Sequence, residues 1–465
     1  MDVKKKKATV PWMLMTVFFL ALSATFTGCF SAASQQPNKE KSTHSKAANG
    51  FASSVLFPLT GSVYPLGYYS LFLTIGHPPK VFEFDIDTGS DLTWVQCDAP
   101  CSGCTKPIHD LYKPGKHIPV HCEDPSCGAV HFPENPQCER PDDQCDFELE
   151  YLDDGSVLGA VITDYFSLQL TNGSIIRPRL AFGCAYDLKH HGPYSPPSTD
   201  GVIGLGNGKA SILSQLQSFG VIRNIIGHCL SAKGGGYLFV GDDHVPSSGI
   251  VWMPMSGNTK HFLSTTAELL LDGKPTGVTD LQIVFDSGSS YTYFCSRIYK
   301  PLLDLVMRGL NGKPLNPVHD QALPVCWKGK KPFKSVHDVK NYFSTLTLSF
   351  TNTRNVQLEL PPEAYLIVTD HGNVCLGILN GTEAGVDEFS IIGDISLQNK
   401  MVIYDYEKQQ IGWVSANCDR LPSSDGNYED FQPYAANFGI VEENSPPTET
   451  QVSSKSNKKV YKREL

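Results

Sequence analysis

Two stretches, Lys80-Val-Phe-Glu-Phe-Asp-Ile-Asp-Thr-Gly-Ser90 and Leu281-Gln-Ile-Val-Phe-Asp-Ser-Gly-Ser289, decide how this chain is read. In the first, Phe82, Phe84 and Ile86 alternate with Glu83, Asp85 and Asp87; in the second, Leu281, Ile283 and Phe285 alternate with Gln282, Val284 and Asp286. Period two is the pattern of a half-buried β-strand. Each strand therefore delivers a carboxylate at its end, and the Gly two residues on lets backbone approach with no side chain in the way. Val202-Ile-Gly204 follows the first copy and Ile391-Ile-Gly393 the second. A single Asp-Thr/Ser-Gly-Ser match arises by chance too readily to carry weight; two, each with its partner in the same order, mark a duplicated lobe.

The rest of the composition fits two lobes. The 465 residues are 41% hydrophobic with 40 Gly and 32 Pro, enough for one large core or two medium ones broken by many turns. Short runs such as Tyr69-Ser-Leu-Phe-Leu-Thr-Ile75 between turn residues predict a body that is mostly β. Two helices are predicted. One is capped by Ser211, carries Ile212, Leu213, Leu216 and Phe219 on one face and stops at Gly220; the other spans Tyr299 to Leu310. The net charge of −10, with no clustered basic face, excludes nucleic acid as a partner.

Lys4 to Lys7, the apolar run from Val10 to Leu22 and the small residues to Ala33 read as a signal peptide over residues 1–33, or as a signal anchor. Only the uncleaved anchor would bring the chain to a membrane. Residues 34–58 read as a polar linker or short prosegment, 59–245 and 246–418 as the lobes, and 419–465 as a disordered tail. Fourteen cysteines suit an oxidising route, and seven of them, Cys97, Cys101, Cys104, Cys122, Cys127, Cys138 and Cys145, read as disulfides of a loop-rich insert. Removal of Cys29 with the signal leaves an odd thiol, for which Cys295 is the choice. Asn172-Gly-Ser174 and Asn380-Gly-Thr382 are glycosylation triplets. Cys101-Ser-Gly-Cys104 lacks a second pair at zinc spacing and His190-His191 lacks carboxylates at ligand spacing, so no metal or other cofactor is expected.

Two carboxylates brought together between lobes cannot both ionise cheaply, so one keeps its proton. The charged member can then take a proton from water while the protonated member donates to a peptide carbonyl, which is hydrolysis without a covalent intermediate. On this reading Asp87 and Asp286 are catalytic. Ser90 and Ser289 orient their outer oxygens, and Thr88 and Ser287 brace the two turns; passive turn capping is the plain alternative for the serines. Activity is expected at acidic pH.

The two stretches, continued as Ser90-Asp-Leu-Thr-Trp-Val-Gln-Cys97 and Ser289-Ser-Tyr-Thr-Tyr293, resemble the active-site signatures of pepsin-like aspartic proteases over roughly Leu59 to Asp419. The Cys-rich insert, Tyr151-Leu-Asp-Asp-Gly-Ser156 and Asn399-Lys-Met-Val-Ile-Tyr-Asp405 are similar to the plant nucellin-like branch. The resemblance implies an all-β bilobal acid-protease fold with lobes related by a pseudo-two-fold axis, a central cleft and a hairpin flap. It makes Tyr151 the flap tyrosine, with Asp154, Gly155 and Ser156 in the flap turn and Trp94 within reach of the tyrosine hydroxyl. It implies a monomer acting on protein or peptide substrates in the secretory pathway, secreted to the apoplast or vacuolar. The alternative on the same fold is a binding protein like the plant glycosidase inhibitors, whose catalytic signatures are usually damaged; both copies here are intact.

Overall fold

The computed structural model describes residues 54–430 apart from 100, 105–109, 116–118, 152–154, 190–198, 257–261, 352, 354–355 and 423–427. Its described part is built almost wholly of strands, with short helices at their ends. The carboxylate strand Lys80–Asp87 runs parallel to Gly201–Gly204, which is antiparallel to Trp94–Gln96, which in turn is parallel to Arg179–Lys189. In the second half Ile283–Phe285 runs parallel to Ser390–Ile392, which is antiparallel to Thr292–Phe294, which is parallel to Ile378–Asn380. The same four-strand order occurs twice. In each, the Ile-rich motif seen in the sequence is the strand beside the carboxylate strand.

The halves are joined by a continuous sheet. Ile225–Leu230 of the first half pairs antiparallel with Lys400–Asp405 of the second; outward from there lie Gly236–Val240 and Val55–Ser62 on one side, Gln410–Ser415 and Val251–Pro254 on the other. The central strand Ile225–Leu230 is buried along its whole length, as strands covered on both faces are. The fold is the bilobal all-β one.

Several expectations need adjusting. The carboxylate strand is not half-buried at its end: Asp85, Ile86 and Asp87 are all buried. Strand pairing starts before residue 59, with Val55 paired to Val240 and the Ser54 N–H donating to Asp243 at 2.8 Å. It also runs past 418. The Cys229–Cys418 disulfide anchors that end, Ser231 donates to Asp419 at 2.6 Å, and Arg420–Pro422 pairs with Tyr428–Asp430. The first helix is Ile212–Ser218, with the Ser211 hydroxyl accepting from the Ser214 N–H and Gly220 at φ +67° after it. The second is Ser296–Gly309 rather than Tyr299–Leu310, its first turn held by the Thr382 hydroxyl accepting from the Ser296 N–H at 2.8 Å.

Six disulfides are formed among the described residues, and Cys295 is free and buried. Cys101 pairs with Cys104, Cys122 with Cys138 and Cys127 with Cys145, all inside the insert. Cys97 does not belong to that set. It pairs with Cys184, because its strand lies parallel to Arg179–Lys189. His190 and His191 lie outside the described residues. No helix among the described residues is long and apolar enough to cross a membrane.

Candidate active site

Asp87 ends its strand opposite Gly204, and Asp286 follows Phe285, which lies opposite Ile392. At each the chain turns at once. Asp87 Oδ1 accepts from the Gly89 N–H at 2.8 Å and Asp286 Oδ1 from the Gly288 N–H at 2.8 Å. The outer oxygens are held by hydroxyls: Ser90 donates to Asp87 Oδ2, and Ser289 to Asp286 Oδ2 at 2.7 Å. The turns face each other across the halves. A Cβ at position 89 would stand 2.6 Å from Asp286 Oδ1, and one at 288 would run into Asp87 Oδ1. Only glycine admits the opposite carboxylate. Asp87 and Asp286 are each 7% exposed, so the pair is buried but not sealed from solvent.

Thr88 and Ser287 lock the turns together. The Thr88 N–H donates to Ser287 Oγ at 3.1 Å and the Ser287 N–H to Thr88 Oγ1 at 2.9 Å. The hydroxyl protons go across to backbone, Thr88 to Phe285 O at 3.1 Å and Ser287 to Ile86 O at 3.2 Å. Both side chains are buried, so these bonds have no competing water. Burial, and after it the charge of Asp286, pushes the Asp87 carboxyl up to about 7.

Tyr151 stands at the tip of the hairpin Asp146–Glu150 and Ser156–Gln169, where its N–H donates to Gly155 O at 2.8 Å. The Trp94 indole N–H donates to its hydroxyl at 2.7 Å. Gly155 and Ser156 close the hairpin on the other side; Asp154 lies outside the described residues.

Sequence reasoning passed over several polar residues behind the pair. Asp394 follows Gly393 directly, is buried, has no hydrogen-bond partner for either carboxylate oxygen, and is pushed well up by burial and then by the charges of Asp286, Asp87 and Asp85. Asp85, two residues before Asp87, is likewise pushed well up, by burial above all. Asp91 accepts from the Gly208 N–H at 2.7 Å, which is why Gly208 carries no side chain. For Asp394 a signal existed, since it is the next residue after a motif already recognised.

Residues 69–242 match the family described as xylanase inhibitor N-terminal and residues 266–415 the one described as xylanase inhibitor C-terminal. The chain is 41% identical over 385 residues to an aspartic proteinase of rice, Oryza sativa subsp. indica, covering 80% of this chain and 93% of that protein. It belongs to the pepsin-like aspartic proteases. Aspartic proteinase 39 of Arabidopsis thaliana, a more distant relative, is 27% identical over 448 residues, 90% of each chain. Among solved structures, soybean basic 7S globulin superposes with a TM-score of 0.61 at 15% identity, covering 78% of this chain and 97% of that one, and lupine conglutin gamma with 0.60 at 15% identity, covering 79% and 96%. At that identity the likeness is one of fold. For a pepsin-like protease, the question left to the site is whether its carboxylates work.

Proposed function

We propose that the chain is an aspartic endopeptidase, with Asp87 and Asp286 as the catalytic pair and no covalent intermediate. The observation that carries this reading is the reciprocal fit of the two turns, in which each glycine makes room for the other half's carboxylate. With Asp87 pushed up to about 7, the pair keeps one shared proton in acid and up to neutrality. The ionised member takes a proton from a water between them as that water adds to the scissile carbonyl, and the protonated member gives its proton to the carbonyl oxygen. The resulting tetrahedral diol collapses when the amine nitrogen is protonated by the pair and the C–N bond breaks. Ser90, Ser289, Thr88 and Ser287 hold the geometry, and Tyr151 with Gly155, Ser156 and Asp154 forms the flap over the peptide. Protein or peptide is the substrate, in the secretory pathway where six disulfides persist.

The xylanase-inhibitor descriptions of the matched families favour a second reading, a binding protein on the same fold. One experiment separates them. The purified chain is expected to cleave denatured protein in acid, to be blocked by pepstatin, and to lose kcat/KM as pH rises through about 7, when the shared proton leaves. Asp87→Asn and Asp286→Asn are each expected to lose at least about a thousandfold in kcat. Wild-type protein that is folded but cleaves nothing across the acid range would leave the binding reading standing.

A further inference from the structure

The run Gly204-Leu-Gly-Asn-Gly208 leaves the strand Gly201–Gly204 beside Asp87 and has the composition of a plain turn. In the fold its three glycines close on one residue, the half-buried Asp91. A Cβ at 204 would run into the Asp91 backbone, and one at 206 or at 208 into the Asp91 carboxyl oxygens. None of the three has a left-handed backbone, so it is the approach of Asp91 that keeps side chains out.

The run is also bonded, step by step, to the turn that carries Asp87. The Leu205 N–H donates to Asp87 O at 2.8 Å, the Gly206 N–H to Ser90 O at 2.8 Å, the Gly208 N–H to Asp91 Oδ1 at 2.7 Å and the Gly204 N–H to Thr93 Oγ1 at 3.2 Å. The far side of the run is fixed in turn: Gly208 O accepts from the Ser211 N–H at 3.1 Å, and Leu205 O accepts from the buried Tyr406 hydroxyl of the second half at 2.7 Å. The second half is built differently. Ser290 stands where the first half has Asp91, its hydroxyl donates to Gly67 O, and the carbonyls of Ser289 and Ser290 accept from the Asp394 and Ile395 N–H groups at 2.8 and 3.1 Å. There the start of the helix Asp394–Leu397 takes the place of the glycine run.

Resting on the protease reading above, we propose that Asp91 is a positioning residue for Asp87: seated among the three glycines, it fixes the turn from which Ser90 holds the outer oxygen of the catalytic carboxyl. Without the Asp91 side chain the Gly208 N–H loses its acceptor, the space between the glycines empties, and the Ser90 hydroxyl can swing off Asp87 Oδ2. Two effects on the reaction follow. The pair loses its set spacing, which costs kcat, whereas KM changes little because the glycine run encloses Asp91. The bond from Ser90 favours the ionised form of Asp87, so loosening it raises that carboxyl further and moves the departure of the shared proton to higher pH. The other groups that face Asp87, the Asp286 carboxyl and the Gly89 N–H, stay as they are.

Steady-state kinetics on a peptide substrate across pH test this, with active sites counted by pepstatin titration. Asp91→Ala is expected to lower kcat about tenfold with KM within about twofold, and to move the alkaline limb of kcat/KM up by about half a pH unit. Asp91→Asn still offers an oxygen to the Gly208 N–H and is expected to return most of the activity, with the limb back in place. Gly208→Ala, which drives a methyl against the Asp91 carboxyl, is expected to copy Asp91→Ala, and the double variant to be no worse than Asp91→Ala alone, because the methyl then enters the emptied space. Should Asp91→Ala not fold, Gly208→Ala and Asp91→Asn carry the comparison. A drop in melting temperature with kcat per active site unchanged, an effect confined to KM, an alkaline limb that stays put, or an Asn variant no better than Ala would overturn the proposal. Active wild-type protein with an unaffected Asp91→Ala removes this role alone, whereas wild-type protein without pepstatin-sensitive cleavage removes the protease reading and this role together.

Discussion

A single methyl group at position 89 is enough to push the two carboxylates apart. The backbone there is not left-handed, so alanine meets no conformational penalty; what it meets is Asp286 Oδ1 at 2.6 Å. Gly89→Ala is therefore expected to fold with a melting temperature near that of wild type and to lose about a hundredfold or more in kcat/KM, since catalysis tolerates little displacement of reacting groups. An alanine variant with wild-type kinetics would show that the pair does not need this approach. Glycine at 89 and 288 was legible in the sequence because both copies repeat it. Asp85 was not. A strand pattern tells which residues share a face, but burial of a polar one on the opposite face depends on what the rest of the chain lays over it.

The hairpin of Asp146–Glu150 and Ser156–Gln169 is held at both ends by contacts that the repeat does not contain. Near its base, Phe147 lies over Gly159 and Gly183 so closely that a Cβ on either would stand 2.6 Å from its ring. The Cys127–Cys145 disulfide and the bridge between Pro119 and Ile162 fasten the insert to the same hairpin. At the tip, the Trp94 indole donates to the Tyr151 hydroxyl. Tyr151→Phe leaves that N–H without its acceptor and frees the tip from the strand Trp94–Gln96. The expected result is a KM raised about fivefold with kcat within about twofold, from initial rates over a range of peptide concentrations; an unchanged KM would detach the tyrosine from substrate binding. The hairpin itself was readable from turn residues and resemblance. The partner of Cys97 was not, because a crowd of cysteines in sequence suggests local pairing, whereas parallel strands bring Cys184 from 87 residues away.

The two halves also share a titration problem. Asp87, Asp85 and Asp394 sit close together where the lobes meet, and burial pushes all three carboxyls up from the ordinary 3.8, Asp87 to about 7. A carboxyl raised in the folded state stabilises the fold below its unfolded value, and that stability is lost as pH climbs through the folded value. Carboxylates in ion pairs work the other way. Glu407, hydrogen-bonded by Arg223, and Asp419, hydrogen-bonded by Lys233, are held low, so what they contribute is lost as pH falls below the ordinary carboxylate range. These opposed sets place maximum stability in mild acid, with a decline above about pH 4 that the buried trio drives, the share of Asp87 running up to about pH 7. Asp394, with neither oxygen bonded, is the member whose ionisation is least compensated. Asp394→Asn keeps the shape and removes the charge. Its melting temperature at about pH 8 is expected to exceed that of wild type by about 2 °C or more, the difference vanishing near pH 4, where the native carboxyl is already protonated. Scanning calorimetry across that range decides it: wild-type protein as stable at pH 8 as in mild acid, or an Asn variant without advantage there, would mean that the trio ionises without strain on the fold.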